Sequence, residues 1–292
     1  MTTVCTVGLA VLDLVMTVDA LPRDARKHFA DSAAVTGGGP AANAAVTVAR
    51  LGGSARFVGC VGDDPIGGLI VHDLVVERVD TDDVVVVVGA PSPVSSVLVL
   101  PDGARAIVNH TDPRLHESEP GPLPRADAYL ADVRWPLGAV AAMEAAHAAA
   151  VPGVLDLDRS SAPIPPAAVR RASHVVASID ALDQTDPAEA LADLGGRTDG
   201  WVGVTLGSDG VAWLDGGTVQ HLRPPPIEVV DTLAAGDVFH GAFALALAEG
   251  RPEPAALRFA TAAAAAKCTM AGGRAGIPDR HTVDELEARP WG

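Results

Sequence analysis

Apolar and polar positions alternate in short blocks that predict a succession of strands and helices. Aliphatic or β-branched runs at 4–10, 55–61 and 84–89 read as strands. Between them, 41–51 and 66–79 carry apolar residues at helical spacing, and Gly52-Gly53 stops the first of these. Residues 95–100 and 104–109 flank Pro101-Asp102-Gly103, a hairpin signal. From Asp127 the texture changes to strands at 128–133, 153–157, 174–177 and 202–206, with helices at 138–150 and 187–194. A second hairpin at 211–214 and 219–222 precedes two long helices at 237–249 and 254–269. Strands separated by helices predict parallel crossover units and therefore an α/β fold in one domain. The hairpin segments before Asp127 are too exposed in character to be core and read as a small flap.

Composition narrows the classes. A chain of 292 residues with 48% apolar and 20% charged residues is globular. The formal net charge is −16 and is spread along the chain, which argues against nucleic acid as a partner. An anionic small substrate then needs a few Lys or Arg to reverse the local sign. The cluster Arg23, Arg26, Lys27 and His28 stands out for that reason. Cys5, Cys60 and Cys268 have no CxxC spacing and suit a reducing compartment. No basic leader and no run of about 18 apolar residues is present, so a cytoplasmic protein with no membrane partner is expected.

Two constellations carry chemistry. The first is Asp231-Thr232-Leu233-Ala234-Ala235-Gly236-Asp237, where a β-branched run leads through small residues into a helix. Unpaired N–H groups at a helix start favour anions, and small residues let a phosphate approach the backbone. An acid beside such a site is electrostatically poor as structure. It is useful if it takes a proton from an attacking hydroxyl. Asp237 is thus a candidate general base; the alternative is a plain helix cap. The second constellation is Gly37-Gly38-Gly39-Pro40-Ala41-Ala42-Asn43. It matches G-x-G-x-x-A, but 29–36 before it is mixed and polar rather than a buried strand, which argues against a dinucleotide site. What remains is a loop that lets a polyhydroxy ligand approach the backbone, with Asn43 offering its amide, or a helix-entry turn.

The two motifs, in this order and nearly 200 residues apart, resemble those of the ribokinase-like (PfkB) carbohydrate kinases over essentially the whole chain. The resemblance implies a ribokinase-like three-layer α/β/α sandwich with a small β-sheet lid. It implies one domain over 1–292, with lid segments at about 11–36 and 84–110, and a homodimer formed through the lid. ATP and Mg2+ are the implied cofactors, and a sugar the implied partner. Asp237 would take the proton from the sugar's primary hydroxyl, and the N–H groups of Ala234, Ala235, Gly236 and Asp237 would hold the transferring phosphoryl group. Gly38, Gly39, Asn43 and Asp13, the last read as ending the first strand, would bind the sugar. Thr232, Gly207, Gly210, Gly273 and Gly276 would lie against the nucleotide. Within the family, residues 37–51, 130–135, 236–241 and 267–279 most resemble the branch acting on 6-deoxy-6-sulfofructose. That likeness implies phosphorylation at the 1-hydroxyl and a sulfonate pocket of Lys27, Asn109 and Arg134. A permanent anion does need Lys or Arg with amide donors, and Arg134 follows a strand end where open α/β sheets bind ligands.

Two departures from the family pattern stand out. Ala234 replaces a glycine, which is strained if its φ is positive and harmless otherwise. Ser178-Ile179-Asp180-Ala181 stands where Asn-x-x-Glu is expected, so magnesium would be held by ATP phosphates and water, with no protein metal ligand named. Lys267 reads as a favourable charge at a helix end, Cys268 as a packed thiol and His240 as a packed helix histidine. Asp63-Asp64 and Asp82-Asp83 read as solvated turn charges. The alternatives carried forward are a kinase for a non-sulfonated sugar such as fructose, ribose or a sugar phosphate, and a non-catalytic sugar-binding protein weakened at Ala234.

Overall fold

The computed structural model describes residues 1–101 and 103–291. Asp102, in the expected hairpin turn, lies outside the described residues. The first half runs β1 (Thr3–Val7), β2 (Val11–Thr17), β3 (Ser32–Gly38), α1 (Pro40–Arg50), β4 (Ser54–Val58), β5 (Cys60–Gly62) and α2 (Pro65–Val76). It continues through β6 (Val85–Val87), β7 (Val94–Val99), β8 (Arg105–His110), α3 (Pro113–His116), β9 (Ala128–Asp132) and α4 (Pro136–Ala149). Then come β10 (Gly153–Leu157), α5 (Pro166–Arg171), β11 (His174–Ser178), α6 (Pro187–Gly195), β12 (Trp201–Thr205), β13 (Val211–Asp215) and β14 (Thr218–Leu222). Three helices close the chain: α7 (Ala235–Ala248), α8 (Glu253–Cys268) and α9 (Arg280–Glu287).

The main sheet has the order β14-β13-β12-β11-β10-β9-β1-β4. Strands β4, β1, β9, β10, β11 and β12 are parallel, and β13 and β14 complete the edge antiparallel. Both faces are covered, so its central strands are buried without polar alternation. Val4, Leu130, Val154 and Val176 point into one core with α1, α2, α7, α8 and α9. Their neighbours Cys5, Tyr129, Leu155 and Val175 point into a second core with α4, α5 and α6. Alternate residues feeding two helical layers make the expected α/β/α sandwich. A separate four-stranded sheet, β3-β2-β7-β8, forms the lid, and β5 pairs with β6.

Several expectations are corrected. The run 4–10 is not one strand: the chain turns at Gly8, φ +149°. A Cβ there would lie 2.3 Å from the Asp132 carboxylate, whose Oδ2 accepts the N–H groups of Leu9 at 2.8 Å and Ala41 at 3.1 Å. Asp13 therefore sits inside β2 of the lid rather than at the end of the first strand. The run 55–61 splits into β4 and β5, and 84–89 yields only β6, which pairs with β5 and not with the lid. Ser32–Gly38 is a strand after all, but an antiparallel lid strand rather than the buried parallel strand a dinucleotide fingerprint follows. The acidic pairs are not idle: Asp64 caps α2 through Gly67 and accepts the Ser92 hydroxyl, Asp63 accepts from Gly89, and Asp83 pairs with Arg56. No helix among the described residues is long and apolar enough to cross a membrane.

Candidate active site

Helices α1 and α7 lie against each other because Gly241 lacks a side chain; a Cβ there would come 2.7 Å from the Ala44 carbonyl. The close approach brings Asn43 of α1 to Asp237 in the first turn of α7, and Asn43 Nδ2 donates to Asp237 Oδ2 at 2.7 Å. Asp237 is thus not the helix cap; Ala234 occupies that position without a side-chain cap. Burial pushes the Asp237 carboxyl above the ordinary carboxylate range. The Asn43 hydrogen bond and the charges of Arg134 and His240 oppose that rise, and Asp158 adds to it. A carboxylate with a raised pKa is a better proton acceptor.

Ala234 has φ 67° and ψ 9°, the left-handed region. The departure from glycine is therefore a strained one. The kink turns the Ala235 N–H, expected among the phosphoryl donors, to the Thr232 carbonyl at 3.2 Å, and leaves the N–H groups of Ala234, Gly236 and Asp237 without an acceptor among the described residues, donors suited to an anion. Ala234→Gly is expected to raise stability in urea by about 1 kcal/mol, the strain relieved less the added entropy of the unfolded chain. A loss of stability on this substitution would contradict the strained assignment.

The loop before α7 is braced from below by Lys267, 0% exposed. Its Nζ donates to the carbonyl oxygens of Asp231 at 3.0 Å and Met270 at 3.1 Å and lies 3.4 Å from Asp231 Oδ2. The same carboxylate accepts the N–H groups of Leu233 at 2.8 Å and Gly272 at 2.9 Å. Lys267 is thus a buried clamp and not the simple helix-end charge expected. Burial pulls its ammonium pKa down, against the pull of Asp231. Cys268 lies beside it, partly buried, and its carbonyl accepts the N–H groups of Val230 and Asp231.

The three glycines before α1 each answer a separate demand. A Cβ on Gly37 would meet Arg274 Nη1 at 1.9 Å, and one on Gly38 would meet Asp13 Oδ2 at 2.1 Å. Gly39, at φ +92°, lies against the Leu9 carbonyl. Across the lid, Thr36, Asp13, Ser95 and Asn109 stand in one register row. Side chains in such a row share a face of the sheet. Burial raises the Asp13 pKa, while the Ser95 hydroxyl and Arg274 stabilise its anion and Asp237 repels it. Asp13, Asn43 and Asp237 are therefore parts of one site.

Arg134 reaches the same site. Its Nη2 pairs with Asp158 Oδ2 at 2.9 Å, while its buried Nη1 has no partner among the described residues. Burial opposes its charge, but Asp132, Asp156 and Asp158 outweigh that and hold its pKa above the ordinary value. His240, 4% exposed, has Nδ1 2.8 Å from the Gly236 carbonyl and Nε2 3.5 Å from Asp156 Oδ1. Burial raises the Asp156 pKa to about 6, with His240 and Arg134 opposing. Lys27 is exposed on the lid loop and has no hydrogen-bond or ion-pair partner among the described residues. Asn109 is exposed on β8. No contact joins Lys27, Asn109 and Arg134 to one another among the described residues.

On the far side of the α7 start, Thr232 is exposed, and its hydroxyl accepts from Arg105 Nη1 of the lid at 3.0 Å. Gly207 and Gly210, φ 59° and 96°, bound the turn after β12. Gly273 packs on Leu233 of the anion loop, and Gly276 accepts no side chain without meeting the Met270 carbonyl. Sequence reasoning missed the braces Lys267, Arg274 and Asp156. The surrounding alanine run was the one available sign that Lys267 is buried.

Residues 1–280 match the model of the pfkB family carbohydrate kinases. The chain belongs to the PfkB family. It is 30% identical to the ribokinase of Bacillus subtilis, covering 98% of this chain and 99% of that one. Among solved structures, a protein of Agrobacterium tumefaciens provisionally assigned as a ribokinase is 37% identical, with a TM-score of 0.92, covering 98% of this chain and 97% of that one. The ribokinase of Arabidopsis thaliana complexed with ribose and ATP is 27% identical, with a TM-score of 0.83, covering 99% of both chains. The protein is an ATP-dependent carbohydrate kinase with the ribokinase-like fold. As a PfkB kinase it uses ATP with Mg2+, and its free N–H groups at the α7 start suit a phosphoryl group. Among the described residues no group of three or more His, Cys, Asp or Glu side chains forms a metal cage.

Proposed function

We propose that this kinase transfers the γ-phosphoryl group of ATP to the primary hydroxyl of a sugar, with Asp237 as general base. The Asn43–Asp237 pair at the head of α7 carries this reading. Asp237 takes the hydroxyl proton, which leaves the oxygen free to attack phosphorus. The N–H groups of Ala234, Gly236 and Asp237 offset the negative charge on the phosphoryl oxygens. Magnesium carried on the ATP phosphates would neutralise part of their charge. Asp13 accepts sugar hydroxyls, and the lid excludes water, which limits wasteful hydrolysis.

The acceptor we favour is 6-deoxy-6-sulfofructose, phosphorylated at its 1-hydroxyl. The unpaired Nη1 of Arg134 beside Asp237 supports an anionic substrate group, with Lys27 and Asn109 supplied by the lid. Likeness to ribokinases supports ribose as the second reading. A coupled ADP-release assay with sulfofructose, fructose, fructose 6-phosphate and ribose separates them. Sulfofructose is expected to lead in kcat/KM by about a hundredfold, or about 2.7 kcal/mol. Arg134→Ala is expected to raise its KM about tenfold or more, while leaving the KM for fructose within about twofold. A lead for ribose would replace the sulfonated substrate.

The lid supports a homodimer. Val35, Leu14 and Val108 share a register row on the face opposite Asp13 and are 62%, 41% and 72% exposed. An exposed apolar row of this kind suits an isologous contact about a twofold axis. Sedimentation is expected to give a dimer for the native chain and a monomer for Leu14→Lys/Val108→Lys. A native monomer at micromolar concentration would contradict it.

A further inference from the structure

Arg274 is only 3% exposed and lies in the loop between α8 and α9, yet all three guanidinium nitrogens are used on the sugar side of the molecule. Nε donates to Asn43 Oδ1 at 3.0 Å, and Nη2 donates to the Gly38 carbonyl at 3.0 Å. Nη1 pairs with Asp73 of α2. The partners are separated by 201 to 236 residues of chain, so they meet only in the folded protein.

An amide side chain is nearly symmetric, with an oxygen and an NH2 of similar size. Asn43 can face Asp237 with either. With its oxygen held by Arg274, only the NH2 is left to point at the Asp237 carboxylate. Reversed, Asn43 would set an oxygen lone pair against that carboxylate and favour its protonated form. Gly37 belongs to the same device, because a Cβ there would lie 1.9 Å from Arg274 Nη1 and 2.2 Å from Asp73 Oδ2. We propose that Arg274 is a positioning residue that fixes the orientation of the Asn43 amide and thereby keeps Asp237 ionised and aimed for proton transfer.

The inference rests on the reading of Asp237 as the base. Its signature is therefore sought in the pH profile, where a structural brace leaves no mark. The groups facing Asp237 are Asn43 of α1, Arg134 after β9, Asp156 and Asp158 at the end of β10, His240 of α7 and Asp13 of the lid. Of these, Arg274→Met touches Asn43 through its hydrogen bond and Asp13 through its charge, and the Asn43→Ala background separates the two routes. The test compares kcat/KM between pH 4.5 and 8.5 for the native enzyme, Arg274→Met, Arg274→Lys, Asn43→Ala and the double variant Arg274→Met/Asn43→Ala. Arg274→Met is expected to lower kcat about tenfold or more and to move the acid limb to higher pH. Arg274→Lys recovers part of both. In the Asn43→Ala background, Arg274→Met shifts the limb no further, because Arg274 acts through Asn43.

Gly37→Ala displaces the guanidinium without deleting it and is expected to give the same shift, which keeps the test decisive where Arg274→Met does not fold. An unmoved acid limb in both Arg274→Met and Gly37→Ala overturns the inference. So does a shift that persists undiminished in the Asn43→Ala background. Asp237→Asn separates the two levels. If it retains native turnover, the base assignment fails; if it is inactive while the limb of Arg274→Met stays in place, only the Arg274 inference fails.

Discussion

Asp237→Asn is expected to lower kcat by about 10²- to 10⁴-fold, the usual range for removing a general base. The change is nearly isosteric, and the new side chain still offers an oxygen to Asn43 Nδ2, so the α1–α7 contact is kept. The KM values for sugar and ATP are expected to stay within about threefold, since the sugar and phosphate contacts are not removed. The native pH profile has a matching direction. Burial raises the Asp237 pKa above the ordinary value of about 3.9, so activity falls as pH drops through that raised value. The same shift sets the sign for stability. The folded protein holds the proton more tightly than the unfolded chain, so the ionised carboxylate costs stability at neutral pH. That cost disappears as pH falls through the folded pKa. Asp237→Asn is consequently expected to unfold no earlier than the native protein at pH 7, while losing its turnover. Steady-state kinetics and a urea titration on one preparation check both halves.

The second large effect is on stability. Lys267→Met deletes a fully buried ammonium that satisfies two carbonyl oxygens and faces a carboxylate. Methionine fills the volume but leaves those oxygens unpaired and the Asp231 charge short of a counter-ion. Removing one partner of a buried ion pair costs about 3–5 kcal/mol. In a chain of this size that is a fall in Tm of roughly 5–8 °C. The loss is expected to reach activity as well, because Asp231 and Met270 hold the two loops that meet at Leu233 and Gly273 beside the anion site. A change below about 1 kcal/mol in a urea titration would contradict the clamp.

The parts of this molecule legible in the sequence are those fixed by local pattern. The helix at 41–51, the crossover units after Asp127 and the motif around Asp237 each carry their signal within a dozen residues. The Gly-Gly and Asp motifs together pointed to the family on both ends of the site. What the sequence hid depends on distant contacts. Asp13 was placed at the end of the first strand because nothing local announces the turn at Gly8, which exists to admit the Asp132 carboxylate from β9. The strand Ser32–Gly38 reads as polar because it is an edge strand of a lid that leaves Val35 in solvent. Nothing local to Arg274 announces its role, because its partners come from α1, α2 and β3. Ala234 was legible as an anomaly, but its consequence waited on the sign of φ, which only the fold supplies.

The most direct test of the central claim is phosphorus NMR of Mg-ATP incubated with each of the four sugars, using native protein and Asp237→Asn in parallel. The account predicts a phosphate ester on a primary carbon, its resonance split by two protons, formed with the favoured sugar by the native enzyme and at most in trace by the variant. No phosphate ester with any of these sugars from native protein that binds both sugar and ATP would contradict it, as would equal rates from the native enzyme and Asp237→Asn.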